Sequence, residues 1–462
     1  MISRATRPHS FRTLALVIGA ASIAGFLSEA MYRFSPAVGA GAILAPVVLA
    51  LVAWRPMLGV YGAFLTIPLE ATGLGVGGSN VTPAKAMLVI TAVAVLPRLL
   101  LTFSREALHS AHLWFLCLLA VSLMGLTFAP DTHAVLVITG NGLAYLLISI
   151  YVSRMNRAEL PRLLLVLVIS GAVVGLVSLL TTGGQAVVPG GIDVTNRAQV
   201  GFDSPNVLAF YLLLTLGPCL AMLGEARTWP RRLTALSAAP LIVSGLVLTL
   251  SREAFLGAAV ALLVLLGSSR FRRVAAMLTV ALLVIVAINF GAVTSSPELA
   301  VVKERLSTIN SVSGVTQNPR VVIWKATPRI IADHALLGVG EGNFPIISPS
   351  YNLLSYDLSP IDHAHDIFLT VAAELGLVGL AVFLAFLLSV VRAAWRALKH
   401  TRSRQTHALG VIASLLGVLV GSLSDYPQRT PTLLATMLIM VGLVVAFEHD
   451  ALNVQQYDPT RG

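Results

Sequence analysis

Residues 362–391 read DHAHDIFLTVAAELGLVGLAVFLAFLLSVV. From Ile367 onward this run is long enough to cross the roughly 30 Å hydrocarbon core of a bilayer as a helix, and Glu374 is its one charged residue. In lipid such a segment satisfies its backbone polar groups by coiling on itself. Immediately before it stand His363, His365, Asp362 and Asp366. A polar segment that passes a histidine straight into a membrane helix is where chemistry on a membrane-bound substrate should be sought.

The rest of the chain reads the same way. Of 462 residues, 56% are hydrophobic and 11% charged, against about 25% charged in a soluble domain. Apolar runs predict spans at roughly 13–28, 37–54, 57–73, 83–102, 111–128, 134–152, 162–181, 205–223, 233–250, 254–269, 273–293, 366–391, 407–424 and 431–448. The fold class is therefore an all-α polytopic membrane protein with twelve to fourteen transmembrane helices and one large external loop. It divides into an N-terminal bundle (1–293), the loop with short amphipathic helices (294–365), C-terminal helices (366–448) and a tail (449–462). The first run lacks a small-residue cleavage site and reads as a retained span. Cys117 and Cys219 lie in separate apolar runs and read as small core residues.

With the N-terminus inside, the clusters Arg4/Arg7/Arg12, Arg98/Arg105, Arg154/Arg157/Arg162, Arg227/Arg231/Arg232, Arg270/Arg272/Arg273 and Arg392/Arg396/Lys399/Arg402/Arg404 all fall in the cytoplasm, as the positive-inside rule requires. The formal charge of +10 is thus mostly a topology signal. Its division among short loops gives no surface for nucleic acid. Both termini are placed in the cytoplasm.

The informative cations are those left outside. Arg197 precedes Gly201-Phe202-Asp203-Ser204-Pro205-Asn206, which reads as a helix start with Ser204 as cap and Pro205 in the first turn. Arg252, in Ser251-Arg252-Glu253, sits in a tight turn between spans, either paired with Glu253 or placed to bind an anion. Arg320 opens an amphipathic stretch to His334, with Trp324 one turn on, as expected for a helix on the membrane surface. Gly338-Val-Gly340-Glu-Gly342-Asn343 reads as a tight turn, without the strand and spacing of a phosphate loop. His363 and His365 suggest metal ligands, but no Cys or second His pair completes a site, so none is assigned. His365 instead suits a general base oriented by Asp362 or Asp366, unless Asp366 simply caps the next helix. Glu374, about 13 Å deeper on a regular helix, reads as a packing contact. The helices starting near 205, 254 and 366 all point their N-termini outward. If they converge, they make a site for an anionic headgroup, with a lipid-linked diphosphate as the candidate.

Taken in order, Arg197 with Gly-Phe-Asp-Ser-Pro-Asn206, Ser251-Arg252, Arg320 with Trp324, Gly338-Val-Gly-Glu-Gly-Asn343-Phe, and His365-Asp366-x-Phe-Leu before Glu374-Leu-Gly376 resemble the O-antigen ligase and O-antigen polymerase superfamily of bacterial envelope glycosyltransferases. That family usually shows His-Asn or His-Ser where this chain has His365-Asp366. The resemblance implies a GT-C-like, metal-independent glycosyltransferase without cofactor, at the periplasmic face of the inner membrane. Its donor would be a glycan on undecaprenyl diphosphate. Its acceptor would be lipid A core in a ligase or a second lipid-linked glycan in a polymerase, with the ligase form slightly favoured. By the same resemblance Arg252 and Arg320 would hold the diphosphate and His365 would act on the acceptor hydroxyl. Arg197, Asn206, Trp324, Asn343, His363 and Asp366 would line the substrate site. A transporter of lipid-linked sugars would call for ionisable groups at mid-membrane and broken, repeated helices. A scaffold would leave the external Arg and His residues unexplained.

Overall fold

The computed structural model describes residues 36–72, 74–76, 79–102, 108–156, 158–182, 197–225, 229–267, 319–353, 360–400 and 405–456. The spans expected at 13–28 and 273–293, and loop residues 294–318, lie outside this set. The helices are α1 (Pro36–Trp54), α2 (Pro56–Thr66), α3 (Pro83–Leu101), α4 (Ser110–Met124), α5 (Thr132–Ser153), α6 (Leu160–Thr182), α7 (Pro205–Glu225), α8 (Trp229–Leu248) and α9 (Arg252–Leu266). They continue with α10 (Pro319–Asp333), the short α11 (Phe344–Ile347), α12 (Ile367–His400), α13 (Gln405–Gly421) and α14 (Pro431–Gln456). A small hairpin, β1 (Leu74–Val76) against β2 (Ser79–Val81), precedes α3. Among the described residues eight helices are long and apolar enough to cross a membrane, with shorter apolar helices at Ala45–Trp54 and Gln405–Gly421. The chain is an all-α polytopic membrane protein.

Local signals set the helix ends. Proline in the first turn opens α2 and α3, and Thr82 caps α3 through its side chain. Asp131 and Ser251 cap α5 and α9 in the same way. Ser204 accepts from Val207 N at 3.3 Å at the head of α7, as its sequence suggests.

Packing in lipid gains little from apolar burial alone, so close backbone approach and buried polar contacts matter more. α13 is held this way. A Cβ on Gly410 would lie 2.5 Å from Gly217 O on α7, and one on Gly417 2.5 Å from Gly257 O on α9. Between them Ser414 donates to Leu213 O at 2.8 Å and accepts from Gly217 N at 3.0 Å. α7, buried along most of its length, forms the centre of the bundle.

α12 is broken at Gly376, whose φ is 68° and ψ −173°. The break interrupts the helical ladder, and residues 335–340 fill the gap. Val339 N and Gly340 N donate to the carbonyls of Ala373 and Glu374, each at 2.9 Å. In exchange Leu377 N and Val378 N donate to Ala335 O and Leu336 O at 2.8 and 3.3 Å. All four orphaned backbone groups are satisfied, which non-helical backbone near a membrane requires. Residues 335–340 are therefore keyed into α12, and α10 packs across the same helix.

Only glycine fits the key. A Cβ at Gly376 would stand 2.2 Å from Leu336 O, in a left-handed conformation. Gly376→Ala is expected to cost about 1–3 kcal/mol and to lower the melting temperature of the detergent-solubilised protein. Gly140→Ala, with nothing within 4 Å of its added Cβ, serves as the neutral control. Equal melting temperatures would show that the break is not needed.

Candidate functional site

The site is built on the loop between α13 and α14, Ser424-Asp425-Tyr426-Pro427. Asp425 is 6% exposed, and its two oxygens draw in residues from three other parts of the chain, with Arg197 and Glu253 joined through them. Asn206 Nδ2, at the head of α7, donates to Oδ2 at 2.7 Å. Arg197 NH2 donates to Asn206 Oδ1 at 2.6 Å, while its Nε donates to Thr249 O at 2.6 Å. Arg320 NH2, in the first turn of α10, stands 3.7 Å from Oδ2, and its NH1 pairs with Glu253 at the head of α9. His363 Nε2 and His365 Nδ1 each lie 3.4 Å from Oδ1. The helix starts near 205, 252 and 367 do converge, through a residue on a fourth connection.

Two further features fix the histidines. Trp324 Nε1 donates at 3.0 Å to Ala364 O, the carbonyl between them. His365 itself has φ 51°, a left-handed conformation that is rare outside glycine and clusters at functional sites. The two rings are 4.2 Å apart between centroids. A hydrogen on Nδ1 of His365 would point at Asp425 and leave Nε2 as its basic nitrogen.

Burial by itself raises the Asp425 carboxyl, but the bonds to His363 and His365 and the Arg320 charge outweigh it and hold the group well below the usual carboxylate range. Burial lowers His363, opposed by its contact with Asp425. Burial also raises Glu341, which accepts from the hydroxyl of Ser122.

Beside this cluster a cavity of about 350 Å³ runs between α4, α5, α12, α13 and α14. His363, Asp362, Glu341, Glu374 and Arg429 line its polar end. Below them the wall is almost wholly apolar, including Phe115, Phe383 and Phe386.

Residues 237–384 match the family model described as O-antigen ligase. This match, over less than half of the chain, supports the O-antigen ligase and polymerase superfamily. Within the matched O-antigen ligase segment lie Arg252, Glu253, Arg320, His363 and His365, while Arg197, Asn206 and Asp425 are outside it. No curated protein matches the chain. Among solved structures it is similar to a chain from work on the structural coordination of polymerization and crosslinking by a peptidoglycan synthase complex. The two are 18% identical, with a TM-score of 0.38, and the likeness covers 74% of this chain and 97% of that one.

Several residues singled out in the sequence sit differently from expectation. Arg252 is exposed at the first position of α9 and makes no contact with the cluster. Successive helical residues point in different directions, and the inward one is Glu253, which pairs with Arg320 rather than with Arg252. Asn343 is fully buried away from Asp425. It accepts from Asp131 N at 2.7 Å and donates to Asp131 O and Glu341 O, clamping the turn before α5. Asp366 caps α12 by accepting from Leu369 N at 2.8 Å and does not orient His365. Asp425 does that, and it also changes the metal question: His363, His365 and Asp425 place three ligand atoms within 4.8 Å of one another. The set could hold a cation, although Arg320 and Asn206 already serve the same carboxylate. Glycines 338, 340 and 342 all have positive φ, as the tight-turn reading expects.

Unfolded histidine titrates near about 6.5. Below that value the unfolded chain takes up a proton that buried His363 resists, so the His363 contribution to stability is present above it and is lost as pH falls. The melting temperature of wild type is expected to drop more than that of His363→Asn between about pH 7 and pH 5. Parallel curves would contradict this account of His363.

Proposed function

We propose that this protein is a glycosyltransferase of the ligase type, moving a glycan from undecaprenyl diphosphate to an acceptor hydroxyl at the periplasmic face of the inner membrane. Lipid A core is the acceptor in this reading. Transfer to a second lipid-linked glycan, the polymerase reaction, uses the same chemistry. The observation that carries the reading is the gathering of Arg197, Arg320, His363 and His365 around one buried carboxylate, beside an apolar cavity.

The residues divide the work. His365, with Nδ1 held by Asp425, takes the proton of the acceptor hydroxyl on Nε2. The acceptor oxygen bonds to the anomeric carbon as the bond from that carbon to the diphosphate oxygen breaks, and the electron pair leaves with the diphosphate. Arg320 and Arg197 face that developing charge from fixed positions. Glu253 and Asp425 hold Arg320 in place, and Trp324 holds the backbone that carries both histidines. Because diphosphate leaves readily, fixed cations and one base suffice without a metal. The Arg-rich connections at the other helix ends support cytoplasmic termini.

Purified protein with an undecaprenyl diphosphate-linked glycan and lipid A core is expected to transfer in EDTA. His365→Ala and Arg320→Ala should each fall by about 10²-fold or more, and Arg252→Ala should fall less. Chain growth on donor alone would make the protein a polymerase. Activity lost in EDTA and restored by a divalent cation would assign His363, His365 and Asp425 to a metal. No transfer to either acceptor would sink the reading.

A further inference from the structure

The two sides of the histidine pair differ in charge. On one side stand Arg197 and Arg320, against Glu253 and Asp425, with Arg252 exposed beside Glu253 at the first position of α9. On the other, the polar end of the cavity carries Glu341, Asp362 and Glu374, and among the described residues Arg429 is the only Arg or Lys in its wall. Arg429 NH1 is already engaged by Asp362, through the backbone carbonyl at 2.8 Å and the carboxylate at 3.5 Å. His363 belongs to both sides, since it lines the cavity and touches Asp425.

A diphosphate brought into the cavity would meet carboxyl groups in place of cations, so that end is unfit for the donor's charged group. A sugar hydroxyl meets the opposite situation. A carboxylate accepts its hydrogen bond and a protonated carboxyl donates one, so the fit holds in either state. The amide of Asn141 lines the same end. Neither acid is consumed by the fold: Ser122 reaches Glu341, and the backbone N–H groups of Gly342 and Phe344 reach Glu374, the latter at 3.4 Å, leaving each carboxyl further acceptor capacity. Beyond them the apolar wall extends down α12 to Ala394 and down α14 to Val444, a path suited to a hydrocarbon chain. The cavity thus fits an amphiphile whose head is hydroxylated and uncharged.

We propose that this cavity is the acceptor subsite, in which Glu341 and Glu374 are positioning residues that hydrogen-bond the hydroxyls of an uncharged acceptor sugar. They present one hydroxyl to the histidine pair, while the arginine side takes the donor diphosphate. The assignment rests on the glycosyltransferase reading above. It commits the acceptor sugar to be free of phosphate at the point of attachment, and it places donor and acceptor on opposite sides of His363. The His365 ring lies close enough to the His363 ring for a single sugar to reach both.

The test uses the full chain in nanodiscs and two probes: octyl glucoside below its micelle concentration, followed by saturation-transfer NMR, and farnesyl diphosphate, followed by calorimetry. Glu341→Gln is expected to weaken the glucoside by about tenfold, the worth of one hydrogen bond to a charged group, and to leave farnesyl diphosphate unchanged. Glu374→Gln gives the same pattern by a second route. In transfer assays both variants should raise KM for the acceptor but not for the donor. Wild-type glucoside binding in both variants would overturn the proposal. So would equal loss of both probes together with a lowered melting temperature, because that is the signature of a structural role. Arg320→Gln separates the two levels: it should weaken farnesyl diphosphate alone. If it does not, the glycosyltransferase reading fails whatever the cavity binds.

Discussion

Asp425 is a carboxylate buried at a meeting of helix ends, where an unpaired charge would cost several kcal/mol (about that much per ion after relaxation). It remains ionised because Arg320, Asn206 and the two histidines surround it. Those groups come from α7, α10 and the segment before α12, so the same charge that needs them also holds three elements in register. Removing the carboxylate would leave the Arg320 charge and the ring nitrogens of both histidines short of a partner. The geometry of the site and the assembly of that end of the bundle are one problem with one solution.

The broken α12 makes the arrangement possible. An unbroken α12 would offer residues 335–340 no backbone partners on that helix. With the ladder opened at Gly376, four backbone hydrogen bonds fix that segment, and its glycine turn brings Glu341 to the cavity beside Glu374. On a regular helix Glu374 points away from His365. In the folded chain it shares a cavity wall with His363, because the cavity runs along α12 and the turn folds back over it.

Much of this was legible in advance. Hydropathy gives the spans, because their composition answers directly to the bilayer. The His365 junction, Arg320 and Arg197 stood out as polar groups placed where membrane insertion disfavours them, and the structure gathers all three. Trp324 read as part of a surface helix, and its indole N–H donates to the carbonyl between the histidines. The residues placed apart from the cluster have a common form. Arg252 and Glu253 are neighbours in sequence, and only the direction of α9 decides which faces inward. Asn343 and Asp366 are polar residues in suggestive motifs whose side chains are taken up by backbone groups, Asn343 by the distant Asp131 and Asp366 by Leu369 of its own helix.

By itself the sequence determined that this is a helical membrane protein, and it singled out the polar residues near the helix starts and the family its motifs resemble. Those properties depend on composition and on residues close together along the chain. Only the tertiary structure decided that Asp425, about sixty residues beyond His365, is the group that organises the site. Nothing local distinguishes that aspartate from any other loop carboxylate, because its role comes from burial and from partners contributed by distant helices. The division into a cationic side and an acidic, apolar-walled side was set at the same level, since charges acquire a side only once the helices that carry them have packed.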